Sequence, residues 1–89
     1  MLVLRRVVGK SMLPALRPGK IVVGIRTRRV CAGNIIIVRF QGSEYIKRLE
    51  RKEPGRLYVT GDNRDASTDS RDFGWLDDTQ LVARLIWPL

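Results

Sequence analysis

Ser11 sits in the run Gly9-Lys10-Ser11-Met12-Leu13-Pro14-Ala15-Leu16. A serine two residues after a glycine, where a strand gives way to a turn, shows both its hydroxyl and its backbone amide. Those are the two groups that an acyl-transfer nucleophile with its own oxyanion donor requires. Such a serine needs a base, and the chain contains no histidine. Ser-His-Asp and Cys-His arrangements are therefore excluded. The single cysteine, Cys31, leaves the chain without the ligands of the common zinc sites as well. Lysine is the remaining base, provided that burial or neighbours keep its amine neutral. There are four lysines: Lys10, Lys20, Lys47 and Lys52. A third segment, Gly61-Asp62-Asn63-Arg64-Asp65-Ala66-Ser67-Thr68-Asp69-Ser70-Arg71, is dense in short polar side chains. A plain surface turn needs fewer residues and no such density. Side chains of this kind can build a rigid network that holds another group in place.

The elements that must position these residues are short, rich in Val and Ile, and separated by Gly and Pro. Strands are expected at about Leu2 to Val8, Lys20 to Arg26, Ile35 to Phe40, Glu44 to Glu50, Leu57 to Thr60 and Leu81 to Ile86. Evenly spaced short strands predict a mostly β fold, with an antiparallel sheet curled into a partial barrel. Ser11 to Leu16 is expected to form one helical turn, and Asp77 to Gln80 another. Gln41-Gly42 reads as a tight hairpin turn. In the strand that follows, alternation places Tyr45, Lys47 and Leu49 on one face and Glu44, Ile46, Arg48 and Glu50 on the other. Lys47 thus shares a semi-apolar face, where partial desolvation lowers an amine's pKa.

Each segment alone has an ordinary explanation. Ser11 can simply cap a turn, and Lys47 can snorkel along an apolar face into water. The polar stretch can be a loop that binds an ion or closes the barrel. The bulk properties narrow the field. With 89 residues the prior is one domain, 1–89, and 44% apolar residues argue against disorder. A lone cysteine allows no internal disulfide. The net charge of +8 points to solubility, an acidic partner or an anionic membrane surface. The densest basic cluster, Arg26, Arg28 and Arg29, has no aromatic residues among it, so nucleic acid is not expected. The longest apolar runs, near Ile21–Ile25 and Ile35–Val38, fall far short of the roughly 20 residues of a spanning helix. The expected location is cytoplasmic or peripheral at the membrane.

In combination, four stretches resemble the type I signal peptidase family of Ser-Lys dyad serine proteases. They are Gly9 through Gly19, Gly33 through Val38, Ile46-Lys47-Arg48-Leu49, and Gly61 through Gly74. The resemblance implies a signal-peptidase-like catalytic core with Ser11 as nucleophile and Lys47 as general base. It implies that Ser67 orients Lys47 and that Asp69 and Arg71 form a supporting ion pair. Gly61, Asp62 and Asn63 match the turn that places the loop. Met12 and Pro14 match residues that shape the nucleophile turn, and the Ser11 N–H matches an oxyanion donor. Some family members add a serine hydroxyl two positions before the nucleophile, where this chain has Gly9. Lys20 and Asn34 stand where the family often has aspartate. No cofactor or metal is implied.

The small size, the run Asp65 through Gly74 and the ending Ile86-Trp87-Pro88 are similar to a smaller subgroup without the membrane anchor or the large insertion. Those are the maturation proteases of nickel-type superoxide dismutase. The expectation is a serine endopeptidase that removes an N-terminal leader or extension from a protein precursor, such as the precursor of that dismutase. The alternatives are signal peptidase I-like processing of secreted preproteins and a non-catalytic basic β-domain that binds nucleic acid or an acidic partner.

Overall fold

The computed structural model of the chain describes residues 1–88. It is mostly β, as expected: seven antiparallel strands form one curled sheet, an open half-barrel. The strands are β1 (Leu2–Arg6), β2 (Ile21–Ile25), β3 (Ile35–Phe40), β4 (Ser43–Glu53), β5 (Arg56–Thr60), β6 (Leu76–Asp77) and β7 (Leu81–Trp87). Their order across the sheet is β1-β2-β7-β3-β4-β5-β6.

β3 is the centre of the architecture. Its run Ile35-Ile36-Ile37-Val38 is buried throughout, the pattern of a strand covered on both faces. Ile35 and Ile37 join Val3, Val7, Met12, Leu16, Val22 and Leu85 in one core. Ile36 and Val38 join Leu49, Leu57, Val59 and Leu76 in a second core on the opposite face. The β3–β4 connection is the two-residue turn Gln41-Gly42, with φ of 51° and 80°. Two positive φ values twist the chain in the sense that antiparallel strands need. The turn sets Phe40 opposite Ser43 and, four pairs further along, Ile36 opposite Lys47.

Several expectations need correction. β1 ends at Arg6 rather than Val8, because beyond it Val7 makes only isolated bonds with the Pro18-Gly19 turn: its N–H donates to Lys20 O and its carbonyl accepts from Gly19 N. The segment Ser11 to Leu16 forms turns and no helix, with a single helix-like bond from Leu16 N to Met12 O at 2.9 Å. The polar segment is not loop throughout. It contains a 3-10 turn at Arg64–Ala66 and one helical turn, α1 (Ser70–Phe73). Asp69 caps α1 by accepting from Arg71 N, while the Asp72 carboxylate accepts from Asp69 N. The short turn expected near Asp77 to Gln80 is present as a 3-10 turn at Asp78–Gln80. Among the described residues no helix is long and apolar enough to cross a membrane.

Candidate active site

The nucleophile candidate lies just past β1. Ser11 is half-buried, and the side chain after it, Met12, is buried in the core and pins the turn from beneath. The turn is also held from above. Asn63 N–H donates to Ser11 O at 2.8 Å, and Asn63 Nδ2 donates to Lys10 O at 3.1 Å. Among the described residues the Ser11 N–H has no hydrogen-bond partner, which leaves it free to meet an oxyanion. Pro14 is exposed and does not line the cavity described below.

The base candidate comes from β4. Lys47 is only 4% exposed, and Leu49 on the same face is fully buried. Tyr45, expected to help cover the lysine, is instead 39% exposed at the cavity rim. Its directly opposite partner on β3, Ile36, is fully buried in the second core. Burial pushes the Lys47 amine below the ordinary lysine range. Asp69 and Asp72 act in the opposite sense, and the positive charge of Arg71 adds to the lowering. Among the described residues the amine makes one hydrogen bond, to Ser67 Oγ at 2.9 Å.

Ser67 passes this contact to a buried carboxylate. Its hydroxyl donates to Asp69 Oδ2 at 2.7 Å. Asp69 is fully buried and also accepts from Gly61 N–H at 2.8 Å, Arg71 N–H at 3.1 Å, Arg71 Nε at 2.9 Å and the second Arg71 guanidinium nitrogen at 2.6 Å. Burial alone would raise the pKa of this carboxyl. The Arg71 guanidinium, the Gly61 amide, the Ser67 hydroxyl and the Arg71 amide together outweigh it and hold Asp69 well below the usual carboxylate range. Asp69 is therefore an anion, the Ser67 proton is committed to it, and Ser67 is left to accept from Lys47.

At Gly61 the loop comes close to the Ser11 turn. A Cβ there would stand 2.6 Å from Ser67 Cβ and 2.7 Å from Ser11 O, so only glycine lets the segments approach this closely. Asp62, next along, accepts two bonds from Arg48, at 3.2 and 2.7 Å. Arg48 points to the opposite face of β4 from Lys47. One strand thus carries the candidate base on one face and anchors the supporting loop with the other.

Ser11, Met12 and Lys47 line one cavity of about 190 Å³. Its other walls are Arg5 to Val8 from β1 and its continuation, Ile37 from β3, and Glu44 to Ile46 from β4. The structure thus brings together Ser11, Met12 and Lys47 at the cavity, with Ser67, Asp69, Arg71 and Gly61 in the support behind it. Asn63 ties the two parts together.

The profile of the Peptidase S24-like family matches residues 1–86. The chain belongs to that family. It is a family of serine peptidases, within the superfamily of Ser-Lys enzymes that also holds LexA-type and signal-peptidase-type members. No curated protein matches the chain.

Three contributors to this site went unread in the sequence. Arg48 was placed on the opposite face from Lys47, but its carboxylate partner was not identified. Ser70 accepts the buried Val59 N–H at 2.8 Å and fixes α1 against β5. Arg5 closes the far end of the cavity with Glu44, at 2.6 and 3.2 Å. Only for Ser70 was a local signal present: the Asp69-x-x-Asp72 spacing marks a helix start. The other two are contacts between distant strands.

Proposed function

We propose that this S24-like peptidase is an endopeptidase with a Ser11–Lys47 dyad and that it removes an N-terminal extension from a protein precursor. One observation carries the reading: a buried lysine amine donates to Ser67, whose own proton is held by the Asp69 anion, at the wall of the cavity that Ser11 also lines. A neutral amine has two N–H groups and one lone pair. With one N–H engaged by Ser67, the lone pair is free for the Ser11 hydroxyl. Ser11 Oγ attacks the scissile carbonyl, and its proton passes to Lys47 Nζ. The developing oxyanion is met by the Ser11 N–H. The lysinium then protonates the departing amine, and the neutral base activates the water that hydrolyses the acyl-enzyme. The Ser11–Lys47 hydrogen bond is not made in the free protein, and such contacts often tighten only when substrate binds.

The substrate lies as an extended segment along the cavity. β1 is the outermost strand of the sheet, and its end, Arg5 to Val8, forms a cavity wall. An added strand there takes main-chain hydrogen bonds and offers alternate side chains to the pocket. The finer assignment, to a signal-peptidase-like enzyme that matures a nickel-type superoxide dismutase precursor, is supported by the motifs at Gly9–Gly19 and Asp65–Gly74. A non-catalytic basic domain would leave the Lys47–Ser67–Asp69 chain without a purpose. The test is intact-mass analysis of that dismutase precursor after incubation with wild type, Ser11→Ala and Lys47→Ala. Wild type is expected to release the extension at one bond, and both variants to leave the precursor whole. Equal cleavage by the variants would overturn the dyad. An uncut precursor alongside cleavage of another extended protein would overturn only the substrate.

A further inference from the structure

The acidic residues are unevenly spread. All nine lie between Glu44 and Asp78, while residues 1–43 carry nine basic residues and no acidic one. β1 and β2 come from this uniformly basic part of the chain, β7 lies beyond the last acidic residue, and the three adjoin one another in the sheet. Their register shows which side chains share a face. Leu2 pairs with Ile25, Leu4 with Val23 and Arg6 with Ile21, while Val23 also pairs with Trp87 and Ile25 with Arg84. Partners directly opposite in an antiparallel pair project to the same side. This side faces away from the first core, because the alternate residues Val3 and Val22 are the ones buried there.

The outer face is apolar at its centre and basic around it. Leu2 is 58% exposed, Leu4 61% and Trp87 56%, and no described residue covers them. Side chains of this size usually turn inward, and a contiguous group left outside marks an interaction surface. Arg6 and Arg84 lie on the same face, and Lys20 and Arg26 bracket β2 at its two ends. A second copy of the chain would bring an equally cationic face against this one. A single-stranded nucleic acid would want several stacking rings, and Trp87 is the only aromatic residue of these three strands.

We infer that this face docks on an anionic lipid surface. Leu2, Leu4 and Trp87 enter the boundary between headgroups and acyl chains, and the surrounding arginines and Lys20 meet the lipid phosphates. Aliphatic side chains with a tryptophan, ringed by basic residues and free of acids, have the chemistry of an interfacial anchor. The electrostatic part is short-ranged and salt-sensitive.

The experiment is sedimentation with vesicles of phosphatidylcholine containing phosphatidylglycerol, against vesicles of phosphatidylcholine alone. A Trp75→Phe background lets fluorescence report Trp87 only. The full chain is expected to bind the anionic vesicles, to bind the neutral ones at least about tenfold more weakly, and to show a blue shift of Trp87 on binding. A Leu4→Ser, Trp87→Ser double variant is expected to lose about tenfold or more in partitioning while keeping the circular dichroism of wild type. Absence of binding would overturn the inference. So would binding that the double variant leaves unchanged, since charge alone would then account for it. So would self-association of the wild type in solution that the double variant abolishes, because a second copy would then be the occupant.

Discussion

Ser67 Oγ stands 2.9 Å from the Lys47 amine and can only accept from it, because its own proton is given to Asp69 at 2.7 Å. That direction fixes the orientation of the amine. A hydroxyl free to donate would compete for the lysine lone pair, the electron pair that a base must keep available.

Ser67→Ala removes this orientation while leaving Asp69 bound to Arg71 and Gly61. The expected loss in kcat/KM is about 100-fold, carried by kcat, since in the proposed mechanism Ser67 acts on the base and not on the bound substrate. Ser67→Thr keeps the hydroxyl and is expected to recover most of the activity. Steady-state kinetics of the three proteins on one precursor check this.

Lys47→Met is expected to abolish cleavage and yet stabilise the fold. The buried amine is held below the ordinary lysine pKa, chiefly by desolvation. Between its folded pKa and the unfolded value near about 10.4, the unfolded chain binds more protons, so wild-type stability rises with pH through that window. Methionine has nearly the same volume and no such dependence. Its stability advantage should therefore be present at neutral pH and shrink as the pH approaches about 10. Chemical denaturation of both proteins at several pH values measures the gap.

How much of this was legible beforehand depended on how local the signal was. β3 was read with its true ends because an unbroken apolar run lay between Gly33-Asn34 and Gln41-Gly42. The inward face of Lys47 followed from alternation with Leu49, although Tyr45 on that face turned out to be exposed. The helical turn α1 was lost within a stretch read as loop, because its cap residues Asp69 and Asp72 looked like further members of a polar network. The two-residue strand β6 exists only through its pairing with Arg56 and Leu57 and has no pattern of its own. The Arg5–Glu44 closure joins β1 to β4, strands that are not neighbours in the sheet, and no spacing in the sequence encodes it.

Asp69→Asn should cost the fold about 3 kcal/mol, because it leaves Arg71 and several donors facing a neutral, fully buried group. The sign of the pH dependence follows from the depressed pKa of the aspartate. Its stabilisation is complete above the ordinary carboxylate value of about 3.9 and is lost progressively as the pH falls below that. The difference between wild type and variant should thus be constant near neutrality and narrow in acid. Denaturant midpoints across pH 7 to roughly 2 give the comparison.

Gly61→Ala tests the closeness of the loop to the Ser11 turn. The added methyl falls within 3 Å of both Ser67 Cβ and Ser11 O, so the two segments must part. A stability loss of about 2 kcal/mol is expected, with a fall in kcat larger than that of a comparable substitution at exposed Ala66. Thermal melts and kinetics on the same preparations would show both.

The central claim is that Lys47 is a neutral amine near physiological pH. With four lysines in the chain, the most direct measurement is an NMR titration of the side-chain Cε resonances of lysine-labelled protein, with Lys47→Met to assign the signal. The resonance that vanishes in Lys47→Met is predicted to titrate below the ordinary lysine range. If that resonance titrates at the unperturbed lysine value of about 10.4, Lys47 is protonated at neutral pH and the dyad fails.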